Sequence, residues 1–272
     1  MPAGAGGSTL PFMAQRRRFA SRISWGMRRL LVVALLVIAS YVALLLNPEV
    51  LLAHEIRVQN LTLHASSPLP GAASRLAEQA LERIQRSPFY EADDEYHVFL
   101  CGSPGEFALF ARGQRNVGAI SMVGLTGHAF VRPSDIPGNR LVGPRGAVVP
   151  GERDLVYFIA HELTHTMVAR RVGRIAYLRL EVWQQEGYAD HVAKQGRFDY
   201  MRSLAAFHTG EPELSPARSG LYLRYQLMVD SQLRAGLTAS ELLSRPRDAV
   251  AVEAALQVEA RLQQHPDERR QP

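Results

Sequence analysis

Val156-Tyr157-Phe158-Ile159-Ala160-His161-Glu162-Leu163-Thr164-His165 is an apolar run carrying two histidines four residues apart. On a helix, positions i and i+4 share one face about a turn apart, so both imidazoles point the same way. That spacing lets a single helix offer two ligands to one metal ion. Glu162 lies about 100° round the helix from His161, beside such an ion but off the ligand axis. A base serving a metal-activated water belongs there. In a chain with this histidine and glutamate content, chance yields an H-E-x-x-H string only about 0.02 times.

A third ligand is available downstream in Trp183-Gln184-Gln185-Glu186-Gly187-Tyr188-Ala189-Asp190. Glu186 lies 21 residues after His165, far enough for the chain to turn and return on a second helix. Asp190 shares its helical face, where it could accept a hydrogen bond from the distal nitrogen of a ligand histidine. Alone, the two carboxylates would read as a solvated helix face. Next to the histidine helix they complete a set of two imidazoles and one carboxylate, a donor set that zinc favours.

His161-Glu162-x-x-His165 followed by Glu186-Gly187-x-Ala189-Asp190 resembles the gluzincin metallopeptidases, the thermolysin-like and aminopeptidase-like zinc enzymes grouped as peptidase MA-like. The likeness spans about residues 154–193. It implies one zinc ion on His161, His165 and Glu186, Glu162 as general base, and Asp190 orienting a histidine. It also implies a peptide or protein substrate laid along an edge strand about thirty residues before the zinc helix. Gly127–Val131, with His128, Ala129 and Phe130, is the candidate, an ordinary sheet strand being the other reading. For the oxyanion, the resemblance implies a tyrosine or histidine donor farther on; Tyr222, Tyr225 and His208 are available, and Tyr225 is slightly preferred. The implied fold is a small zincin-like domain, with an N-terminal α/β lobe, a C-terminal helical lobe and the zinc at their junction.

The pattern of elements agrees with an α+β class. Ala72–Ile84 has apolar residues at helical spacing (Leu76, Ala80, Leu81, Ile84), stopped by Ser87-Pro88. Tyr96–Leu100 reads as a buried strand. Ser103-Pro104-Gly105-Glu106 opens a short helix through Phe110. Residues 116–131 read as one or two short strands, and the Pro/Gly-rich stretch 132–151 as a long loop. Helices are expected over about 154–171 and 178–194, and Thr238-Ala239-Ser240-Glu241 opens another near the end. Strands come first and helices last.

The net charge of +5 comes from one end of the chain. Residues 1–29 hold six arginines and no acid; the remainder has 25 basic residues against 26 acidic ones. A nucleic-acid-binding face is therefore not expected. Leu30–Leu46 is uncharged, and as a helix it would span roughly 25 Å. The arginines before it predict a cytoplasmic amino terminus by the positive-inside rule. The chain then reads as a single-pass membrane protein whose remaining part lies outside the cytoplasm. A cleaved signal peptide shares the basic start and apolar core, and Leu52-Ala53-His54 supplies a weak cleavage site; the long preamble favours an uncleaved anchor. A metal helix inside the membrane is disfavoured, because Asp154 and Arg170-Arg171 bracket an apolar run far below the ~20 residues of a span. Cys101 is the only cysteine, which excludes an intramolecular disulfide and reads as a core residue.

The expected layout is a basic disordered tail over 1–29, a transmembrane signal anchor over 30–46 and a linker over 47–60. A metallopeptidase-like domain over 61–263 and a flexible tail over 264–272 follow. Two other functions fit the same residues. One is a catalytically silent, membrane-tethered binding module; the other is a zinc hydrolase of a non-peptide amide. Glu162 argues against the first, because a purely structural ion needs no base.

Overall fold

The computed structural model describes residues 10–114, 117–143, 153–215 and 222–264. The chain divides into two units, Met1–Pro48 and Glu49–Pro272.

The first unit is one helix, α1 (Leu10–Leu46). Its segment Met27–Leu46, 20 residues, is long and apolar enough to cross a membrane, spanning about 30 Å at 1.5 Å per residue. The helix begins well before Leu30, so residues 10–29 are helical rather than a disordered tail. Arginine and alanine are good helix formers, and extending a nucleated helix fixes one residue per hydrogen bond gained. The expectation for residues 1–9 lies outside the described residues.

The second unit opens with a hairpin, β1 (His54–Val58) and β2 (Leu61–Ala65), turned at Gln59, whose φ is 51°. The expected linker over 47–60 is thus corrected. Residues 54–58 pair antiparallel with β2 in full register, because Leu61 and Leu63 bury one face of β2 and give β1 an edge to join. Helix α2 (Ala72–Ile84) then crosses over to β3 (Tyr96–Leu100), parallel to β2. Both elements match the sequence reading. Helix α3 (Pro104–Phe110) follows, capped by the Ser103 side chain, which accepts from the Glu106 backbone N–H. Two three-residue strands, β4 (Ala119–Ser121) and β5 (Ala129–Val131), complete a five-stranded sheet of order β1-β2-β3-β5-β4. Within the stretch expected as an irregular loop, β6 (Ser134–Asp135) and β7 (Arg140–Leu141) form a small hairpin; residues 144–152 lie outside the described ones.

The helices come after. They are α4 (Leu155–Val172), α5 (Arg174–Leu178), α6 (Val182–Lys194), α7 (Tyr200–Thr209), α8 (Leu223–Arg234), α9 (Ala239–Leu242) and α10 (Ala249–Gln264). The helix expected over 178–194 starts later, as α6 at Val182, with the short α5 ending at Leu178 before it. Helices α2 and α4 pack on one face of the sheet, and α6 joins α4 to α8. Buried on every side from Val156 to Ala169 except at Phe158, α4 is the central helix of the unit, as its all-round apolar sequence requires. The Asp154 side chain caps it by accepting from the Tyr157 N–H. Arg83, on α2, donates to that same carboxylate and, at 2.9 Å, to the carbonyl of Ala193 on α6. One guanidinium therefore binds three helices at the end of α4 that leads into the histidines. Residue 264, where the tail is expected to begin, still belongs to α10, and residues 265–272 lie outside the described ones.

Candidate metal centre

Helices α4 and α6 meet along two ladders of side chains, each with a step of four residues: Tyr157, His161 and His165 on α4, and Glu186, Asp190 and Lys194 on α6. The helices run in opposite directions, so the rungs pair off in reverse order. Nε2 of His161 lies 3.2 Å from one Glu186 carboxylate oxygen, and Nε2 of His165 lies 3.9 Å from the other. Ligand atoms of the three residues all fall within 4.8 Å of one another. Two donors held about 2 Å from one ion at a tetrahedral angle lie roughly 3.3 Å apart. The spacing and the donor types therefore fit a zinc-sized ion, with one position left over.

Each histidine is oriented from behind. Nδ1 of His161 is 2.9 Å from Asp190 Oδ1, an ion-pair contact. Asp190 is fully buried, and it also accepts from the Tyr157 hydroxyl at 2.6 Å and from the Lys194 ammonium. Nδ1 of His165 pairs with the hydroxyl of Tyr177, from α5. In both rings Nε2 is left facing Glu186. Sequence reading missed both tyrosines. Tyr157 is four residues before His161 and so was legible as a neighbour on the same face; Tyr177 carried no such signal.

Electrostatics follow from this burial. Burial disfavours a charge on His161, but the Asp190 and Glu186 carboxylates outweigh it and push its pKa up to about 10. His165 lacks such a balance, and burial lowers it to about 4. Burial raises Asp190 and Glu186, yet His161 pulls both below their ordinary values, with help from Lys194 on Asp190 and from His165 on Glu186. Glu162 moves the other way. Burial raises it to about 7, against the pull of His161 and of hydrogen bonds from the Ser121 side chain and backbone.

Ser121 ends β4, which sits at the edge of the sheet with α4 packed against it. The expectation that His128, Ala129 and Phe130 form the substrate edge is therefore corrected. Strand β5 is interior, paired on one side with β3 and on the other with β4, so its backbone groups are already committed. The His128 ring packs on His97 and Phe99 instead. Edge position belongs to Ala119–Ser121, next to Glu162.

Of the three oxyanion candidates, the structure brings Tyr222 to the metal group. Its ring stacks on His161 at a centroid distance of 6.0 Å, and Tyr225 stacks behind it at 5.9 Å. Burial, then the Glu186 and Glu162 carboxylates, push the Tyr222 hydroxyl up to about 12, so it keeps its proton. Tyr225, preferred from sequence, turns its backbone carbonyl toward α6 instead. A Cβ on Gly187 would meet that oxygen at 2.3 Å. Gly187 thus lets α8 approach closely enough to deliver Tyr222. His208 points elsewhere, pairing with Gln257 at 3.1 Å.

The sequence matches no protein-family model and no curated protein.

Proposed function

We propose that the protein is a membrane-anchored zinc metallopeptidase that hydrolyses peptide bonds, with a zincin-like domain behind α1. The observation that carries this reading is the convergence of His161, His165 and Glu186 beside a buried Glu162, whose pKa burial raises to about 7, at a sheet edge. A zinc ion on those three residues would polarise a carbonyl and acidify a water molecule. Glu162 takes a proton from the attacking water and passes it to the leaving nitrogen as the new C–O bond forms and the C–N bond breaks; the second water proton follows, so the products are a carboxylate and a protonated amine. A carboxyl poised near neutrality suits both halves of that transfer. The Tyr222 hydroxyl donates a hydrogen bond to the carbonyl oxygen as negative charge builds on it. Along β4, the substrate backbone adds as a further strand, bonding main chain to main chain.

By the positive-inside rule, the six arginines of residues 1–29 put the amino terminus in the cytoplasm and the catalytic unit outside it. Glu162→Gln tests the mechanism. It should retain zinc and abolish cleavage of an unbiased peptide library. Full activity in that variant would sink the proposal, and zinc binding without cleavage by the wild type would leave a tethered binding module instead.

A further inference from the structure

The sheet face turned away from α2 and α4 carries another group of metal-type donors. Leu61, Leu63, Val98 and Leu100 point into the core beneath the helices. Because the pleat alternates, His64, His97 and Phe99 must project from the opposite face. In the parallel register, His64 lies opposite Phe99 and His97 opposite Thr62, one step apart along the strands. That brings Nε2 of His64 to 3.0 Å from Nδ1 of His97. Glu49, the first residue of the second unit, comes over the same face. One donor atom from each of Glu49, His64 and His97 lies within 4.8 Å of the other two.

We infer that Glu49, His64 and His97 bind a divalent transition-metal ion, zinc by donor type, at a second site sharing no residue with the first. Two imidazoles and a carboxylate are again the set zinc favours. The cluster is hard to account for as packing. His64 is only 3% exposed and stacks on Phe99 at 4.5 Å, where a phenylalanine would fill the same space without burying ring nitrogens. Burying a polar nitrogen is unfavourable unless it is bonded; Nε2 of His64 has His97 at 3.0 Å, and Nδ1 has the exposed Glu55 carboxylate only at 3.8 Å. His128 adds a third imidazole to the group, 5.6 Å from His97 between ring centroids, with a buried Nδ1 that has no hydrogen-bond partner among the described residues. An ion held there would cross-link the start of the second unit to β2 and β3. A plain hydrogen bond between His64 and His97 is the alternative, and it predicts no change in metal content.

The test uses the full-length chain in detergent micelles, stripped with chelator, reloaded with zinc and desalted before metal analysis. Wild type should hold two ions per chain. His161→Ala should hold one, and so should His64→Phe and His97→Phe, which keep a ring in place. The double variant His161→Ala/His97→Phe should hold none. Added zinc should raise the thermal midpoint of His161→Ala but not of the double variant. In the His161→Ala background, Glu49→Gln, which disturbs little packing, should weaken cobalt binding at least tenfold, read from the visible absorption of the ion. The site is ruled out if wild type holds a single ion that His161→Ala removes, or if His64→Phe and His97→Phe both keep two. Unchanged cobalt affinity in Glu49→Gln removes the carboxylate from the ligand set. These readouts do not depend on peptide cleavage, so they stand apart from the proposed activity.

Discussion

Tyr157 donates its hydroxyl proton to Asp190 across 2.6 Å, one helical turn before His161. The same carboxylate oxygen sits 2.9 Å from that histidine's ring. The partner that holds the histidine is therefore itself held. An outer residue of this kind is typically worth 10–100-fold in metal affinity.

Asp190 and His161 together make the metal-free protein sensitive to alkali. The folded pKa of His161, about 10, lies above the ordinary histidine value of 6.5. A raised folded pKa gives stability that is fully present below pH 6.5 and is lost as pH rises toward 10. The thermal midpoint of chelator-treated protein should fall over that window, and Asp190→Asn should flatten the slope. Binding a metal must also expel the His161 proton. Calorimetry on the His97→Phe variant, in buffers of different ionisation enthalpy, should record close to one proton released per ion at pH 8; no buffer dependence would contradict the assignment.

Tyr222→Phe should lower kcat by about 100-fold or more with little change in KM, the signature of a donor that acts on the developing oxyanion. Tyr225→Phe, one layer behind, should stay within a few-fold of wild type. Steady-state kinetics on one peptide substrate separates the two, and the reverse order would restore Tyr225 to the role read from sequence.

Gly187→Ala places a methyl group 2.3 Å from the Tyr225 carbonyl oxygen, where only backbone can give way. The expected loss is about 1–3 kcal/mol in urea unfolding. Activity should fall further than that, because pushing α8 outward withdraws Tyr222 from His161. Unaltered kcat in a folded Gly187→Ala variant would mean that Tyr222 has no part in the reaction.

Arg83→Ala removes a buried partner of Asp154. Breaking such a pair leaves an uncompensated charge, but Arg197 also reaches Asp154, at 3.3 Å from the solvent side. The loss should therefore fall at the low end for buried pairs, about 3 kcal/mol in urea unfolding. A change below about 1 kcal/mol would show that Arg197 suffices.

Features written in neighbouring residues could be read from sequence. The spacing of His161 and His165 and that of Glu186 and Asp190 are facts of one helix each, and so are the bounds of α2 and the Ser103 cap. Features that depend on distant residues could not. Ala119–Ser121 and Ala129–Val131 are equally short, and nothing in either says which is interior; β3 settles it by pairing with the second. Tyr225 was preferred over Tyr222 because the close approach of α8 at Gly187 is invisible without the fold. Likewise, the sequence separation of 33 between His64 and His97 is closed only in the parallel register.

The clasp of Arg83 on the start of α4 has a consequence for anyone who would cut the protein down. A fragment beginning near Arg153 keeps every motif residue, both helices and both ladders. It also leaves Asp154 without its interior countercharge and strips the sheet from one side of α4. Such a piece would carry all the recognisable letters and grip no ion firmly, because the frame that holds the rings still is supplied by the half of the chain that has no motif at all.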